Sequence, residues 1–211
     1  MHNHQRQQAA AGGKPPAAPG KFEKTRLKLV SAIRAEIRAS GDFNAEQVAR
    51  RSKSSAANFY NHFGTKDAAL AAAYEQMMGE LEALLAQQCS IETLLDEGMA
   101  PFMANWVLRS AAFFAEHAAL FRLTQAGFGR SKVLRDLFRK YEASIIEIYR
   151  RFIELGQAAN LIRAGDQLTM ARMLVVFSES WHHSLVQKLT PGDTLHDELT
   201  LALVKILEPN S

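Results

Sequence analysis

The feature that most constrains this chain is a helical periodicity that hardly breaks from Thr25 onward. Leu27, Val30, Ile33 and Ile37 recur at three- and four-residue spacing, so they share one face. Leu70, Tyr74, Met77, Leu81, Leu84 and Leu85 repeat the pattern as a longer stripe. No segment alternates apolar and polar residues or clusters β-branched ones as a strand does. With 211 residues, 47% of them apolar, the chain can bury a real core. The expectation is an all-α fold of about nine helices in one or two domains.

Punctuation places the ends. Gly41 closes the first helix, and Asn44 caps the second with Gln47 in capping-box position. Ser55 opens the third. Thr65 caps a fourth, with Asp67 in its first turn, running to about Gln88. Ser90 caps the next segment, which Pro101 interrupts before Phe102 to Glu116 continues. Residues 118–125 read as a short helix ended by Gly127 and Gly129. Ser131 starts a long one to Ala159, and Gly165-Asp166 opens another to Lys188. Pro191-Gly192 is a turn, and Thr194 caps a last helix to Leu207. Residues 1–20 hold three prolines and no large hydrophobe beyond Met1, the composition of a disordered tail.

Asn44 to Lys66 carries the functional signal: two short helices, a tight turn between them, then Phe-Gly-Thr-Lys. That order is a helix-turn-helix, whose first helix positions the second in the DNA major groove. Charge points the same way. Residues 1–66 hold 12 Lys/Arg against 4 Asp/Glu, while residues 67–211 hold 13 against 18. A basic head on an acidic body is the electrostatic footprint of phosphate contact. The lone Cys89 fits a reducing compartment, no apolar run reaches the roughly 18 residues of a membrane span, and no signal core is present. The expected location is therefore the cytoplasm.

From Thr25 to Leu70 the chain resembles the tetracycline-repressor (TetR) family of transcription regulators. Phe59-Tyr60-Asn61-His62-Phe63 is similar to that family's Leu-Tyr-x-His-Phe signature, and Thr65-Lys66-Asp67 to its Ser-Lys-Glu. The sequence departs from the pattern at Lys53, where a turn glycine is usual, at Ser54, and in a shorter Gly41–Asn44 loop. A left-handed Lys costs about 1 kcal/mol more than Gly there. The resemblance implies a head over residues 21–81 (helix-turn-helix 44–63), a ligand-binding and dimerisation body over 82–211, and a homodimer on palindromic double-stranded operator DNA.

The third helix then presents Ser55, Ala56, Ala57, Asn58 and Asn61 to the groove. Asn58 and Asn61 are the candidate adenine readers, and Ala57 suits a thymine methyl. Tyr60, Thr65 and Lys66 suit phosphates, the last two at a helix N-terminus. Glu46 can accept from cytosine, Asn44 lies beside it, and His62 either meets a phosphate or packs between helices.

In the body, Phe102, Trp106, Arg109, Phe113, Phe121, Gln125, Phe128, Phe177, Trp181 and His182 read either as core or as the pocket of an unidentified apolar effector. Met170, Leu174 and Phe177 on one helix and Leu195, Leu199, Ala202 and Ile206 on the last supply a dimer seam by resemblance. No cofactor, metal site, membrane partner or catalytic constellation is expected. The alternative to a regulator is a ligand-binding or protein-interaction module with a degenerate DNA head.

Overall fold

The computed structural model describes residues 20–209, and within them the chain forms nine α-helices and two 3₁₀ turns with no strand. The expected tail over residues 1–20 lies almost wholly outside the described residues.

The first three helices build the head. Helix α1 spans Lys21–Ser40, α2 Ala45–Ser52 and α3 Ala56–Phe63. Leu29, Val30, Ile33 and Ile37 of α1 close over Val48 of α2 and Phe59 of α3, all buried. Phe43, in the loop before α2, stands 6.4 Å from the Phe59 ring, and Phe63 stands 5.2 Å from it on the other side. Helix α1 begins four residues before Thr25, because Gly20 O accepts from Lys24 N and extends the ladder.

Helix α4, Lys66–Gln88, is apolar nearly all round and is the central spine. It packs on α1, on α6 (Met99–Gly127) and on α7 (Lys132–Ala158). The Arg34 guanidinium of α1 grips Glu80 of α4 through paired bonds of 2.5 and 2.7 Å, and Arg38 reaches Glu116 of α6. A boundary at residue 81 therefore falls inside a continuous helix that joins head to body.

Three expectations about the body are corrected. Pro101 does not interrupt a helix: it occupies the first turn of α6, where its missing N–H has no ladder partner to lose. The break belongs three residues earlier, at Gly98, between α5 (Ile91–Glu97) and α6. Gly98 takes φ 79, ψ 165, a conformation open essentially to glycine alone. No second break follows, since no Pro or Gly lies between Pro101 and Gly127. The helix expected from Asp166 to Lys188 ends instead at Ser178 as α8, Gln167–Ser178. Ser178 Oγ bonds back to Leu174 O at 2.7 Å, and the chain tightens into 3₁₀ turns at Glu179–His182 and Val186–Lys188 that drive Trp181 into the core. Gln187 Nε2 holds that bend by donating to the carbonyls of Trp181 and His182. The last helix, α9, is Thr194–Leu207, with Asp193 rather than Thr194 just before its start.

Met170 and Leu174 are 2% and 4% exposed within the protomer, so they face its own core and cannot also form a seam between copies. The outward apolar face of α8 is Leu168, Met173 and Val176 instead. Phe177 is half-buried, 5.6 Å from Trp181. On α9, Leu195 is exposed, and Leu199, Ala202 and Ile206 stay half-open.

Candidate nucleic-acid interface and ligand cavity

Helices α2 and α3 are held by local chemistry. Asn44 Oδ1 accepts from Gln47 N at 2.9 Å while Gln47 Oε1 accepts from Asn44 N at 3.0 Å, a complete capping box. The turn between the helices passes through Lys53 at φ 54, ψ 46, the left-handed region. Ser55 Oγ then caps α3 by accepting from Asn58 N.

The outward face of α3 carries Ala57, Tyr60 and Asn61, all exposed, with Ser55 exposed at its start. Tyr60 is 52% exposed although its ring rests edge-on against Phe59 at 5.3 Å, so the hydroxyl is free for an acceptor or donor outside. Asn44, Glu46, Thr65 and Lys66 are exposed on the same head. Two expected contacts, Ala56 and Asn58, are placed differently, and of the two alternatives for His62 the structure has the packing one. Ala56 is half-buried against the head core. Asn58 is half-buried and its Nδ2 donates to Ser54 Oγ at 2.8 Å, so paired recognition of adenine must use the second amide proton with Oδ1 from a side chain already held by that bond. His62 lies with its ring 4.1 Å from Phe22 of α1 and its Nδ1 buried without a protein partner, so it packs between helices.

Thr65 Oγ1 accepts from Ala68 N, which leaves the amides of Lys66 and Asp67 at the open end of α4. The Lys66 ammonium bonds Asp42 at 2.7 Å and stands 5.2 Å over the Phe43 ring. Burial pushes the Asp42 carboxyl up, but Lys66 outweighs it and holds the group below the usual carboxylate range. Lys66 thus reaches a phosphate only by sharing or leaving Asp42. Lys28, Arg50 and Lys53 stand in no ion pair among the described residues, in contrast to Arg34, Arg38 and Arg51.

In the body a cavity opens between α4, α6, α7 and the end of α8. Its space is about 610 Å³ with the mouth included. The walls are apolar, with Met78, Leu81 and Leu85 on one side and Phe114, Phe121 and Trp181 on another. The His182 ring stands edge-on to Phe114 at 4.7 Å and to Phe121 at 4.6 Å, and burial lowers its pKa. Ser178 Oγ spends its proton on Leu174 O, so the Tyr149 hydroxyl donates to it at 3.3 Å.

Of the pocket residues expected from sequence, Phe121, Trp181 and His182 line this cavity. Phe102, Trp106 and Arg109 line a separate cleft of about 540 Å³, mouth included, near the start of α6. Phe113, Gln125, Phe128 and Phe177 line neither. That second cleft contains Gln88, 5% exposed, whose Oε1 and Nε2 both lack a protein partner. Tyr74, Glu142 and Tyr149 line the first cavity without having stood out in the sequence, because at helical spacing they read as stripe or surface.

No family model matches the chain, and no curated protein matches it. Solved structures do. A Mesorhizobium loti protein assigned to the TetR family of transcriptional regulators superposes with a TM-score of 0.74 at 16% identity, covering 90% of this chain and 100% of its own. The fold is that of the TetR-family regulators. NalD of Pseudomonas aeruginosa, the secondary repressor of the MexAB-OprM multidrug efflux pump, shares this TetR-type fold with a TM-score of 0.58 at 16% identity, over 88% of this chain and 98% of that one. SmeT, solved with triclosan, gives 0.62 at 19% identity over 85% and 90%. No helix among the described residues is long and apolar enough to cross a membrane.

Proposed function

We propose that the protein is a DNA-binding transcriptional regulator, a repressor that two copies of the chain seat on a palindromic operator and that a small ligand releases. The observation carrying this reading is a set of exposed residues on the head: Ala57, Tyr60 and Asn61 on α3, and Lys66 at the N-terminus of α4, which follows α3 in the chain. Side chains that read bases thereby stand beside donors that suit phosphates. A head rigidly packed around Phe43, Phe59 and Phe63 supports that surface. The role is binding without chemistry, in the cytoplasm.

The geometry of α4 supports the release half of the reading. Its first residue is Lys66 and its later turns, Tyr74, Met78, Leu81 and Leu85, wall the cavity. A ligand that shifts those turns shifts the phosphate contact on the same rigid rod of about 34 Å. A tenfold loss of operator affinity needs only about 1.4 kcal/mol of differential binding. NalD's role as a repressor and SmeT's capture with triclosan support extending both halves of this reading to the present chain.

Selection of bound duplexes from a random pool tests the proposal. The expected result is an enriched inverted repeat, and Lys66→Ala should then weaken binding to all sequences alike and reduce the salt slope by about 1. Failure to enrich any sequence would favour the interaction-module alternative instead.

A further inference from the structure

We propose that the body cavity selects lipophilic cations, recognising the charge at its mouth and the ring system in its depth. The inference rests on the cavity being the effector site. Its lining includes Glu142 of α7 and Glu179 just after α8, and no Lys or Arg. Neither carboxylate stands in an ion pair with a Lys, Arg or His among the described residues, whereas Glu75, Glu116 and Glu147, exposed like them, do. The two repel: burial first, and then the charge of Glu142, raise the Glu179 pKa. A cation between them relieves that repulsion, and an anion adds to it.

A second observation concerns a hydroxyl rather than a carboxylate. Tyr74 is 2% exposed and lines the same cavity, yet its hydroxyl has no hydrogen-bond partner among the described residues. Burial and the Glu179 carboxylate both raise its pKa, so it stays a neutral donor facing the acid side of the cavity. Its oxygen keeps access to the cavity space, so the hydroxyl is open to whatever fills it. The aromatic faces of Phe114, Phe121 and Trp181 complete the site, since π-faces attract cations as well as flat rings. His182 adds no opposing charge, because burial keeps its imidazole neutral at pH 7.

Three probes with one ring system and different charge separate the terms: 10-methylacridinium, neutral 10-methylacridone, and acridine-9-carboxylate. Each is titrated by fluorescence into the intact protein without DNA. The cation should bind at least about tenfold more tightly than the neutral compound, and the carboxylate most weakly. Glu142→Gln and Glu179→Gln should each lower cation affinity by about three- to tenfold and leave the neutral probe within about twofold. Both acids lie at exposed positions, so neither change disturbs the core. Equal affinity for all three probes, or variants that weaken all three alike, would overturn charge selection while leaving an apolar effector site. Absence of binding by any probe up to about 1 mM overturns the site itself. Cation binding by a protein that ignores DNA would support this inference and sink the regulator reading alone.

Discussion

Val176→Glu offers the sharpest test of how two copies meet. In one protomer Val176 is 72% exposed, beside Met173 on the outward face of α8, so a carboxylate there remains solvated. Folding of the isolated protomer should change by no more than about 0.5 kcal/mol. In a two-fold dimer through α8 and α9 the substitution enters the seam twice, because the interface is isologous. Each buried, unpaired polar group costs at least about 1–3 kcal/mol. The pair therefore costs about 2–6 kcal/mol, which weakens dimerisation about thirtyfold to twenty-thousandfold. Sedimentation velocity over a concentration series reads the constant, and circular dichroism at low concentration reads the protomer fold. Leu174→Glu is the contrasting control. At 4% exposure Leu174 sits in the protomer core, so its replacement should unfold the chain rather than separate intact copies. A Val176→Glu protein that dimerises with the parental constant would refute the seam on α8 and assign this apolar face to another partner.

Three further outcomes are expected. Lys53→Gly should stabilise the protein by about 0.5–1 kcal/mol, since the left-handed turn costs Lys about 1–2 kcal/mol and glycine's extra unfolded freedom returns part of that; a lower melting temperature would mean the Lys53 side chain makes a stabilising contact. Gln88→Met should raise stability by about 1–3 kcal/mol if its buried amide is truly unpartnered, and loss of stability on thermal unfolding would show the amide to be satisfied by water or ligand. Affinity for 10-methylacridinium should fall as pH drops from about 7 toward 5. Glu179, whose pKa burial and Glu142 raise, gains its proton at a higher pH than an ordinary Glu, while Tyr74 stays neutral and His182, its pKa lowered by burial, charges at a lower pH than an ordinary His. The same titration with Glu179→Gln should be flatter, and an unchanged profile would remove Glu179 from the response.

What the sequence determined by itself is local. The Asn44–Gln47 box, the caps at Ser55, Thr65 and Ser90, and the end at Gly41 involve partners within a few residues, and all are legible as residue types at fixed spacing. The left-handed turn expected at Lys53 is likewise local. The outward residues of α3 follow from where Phe59 and Phe63 must point once the helix exists. Tertiary structure decided whatever depends on which neighbour an apolar side chain meets. Met170 and Leu174 have the same spacing whether they meet their own core or another copy, so only packing turned them inward and left Val176 outside. Trp181 ended α8 early because core burial outweighed the continuing helical pattern, with Ser178 and Gln187 taking up the released backbone groups. The cavity is the extreme case. Tyr74, Glu142 and Glu179 lie on three separate elements and carry no mutual signal along the chain. Their meeting, and the repulsion between the two acids, exist only because α4, α7 and the end of α8 pack around one space.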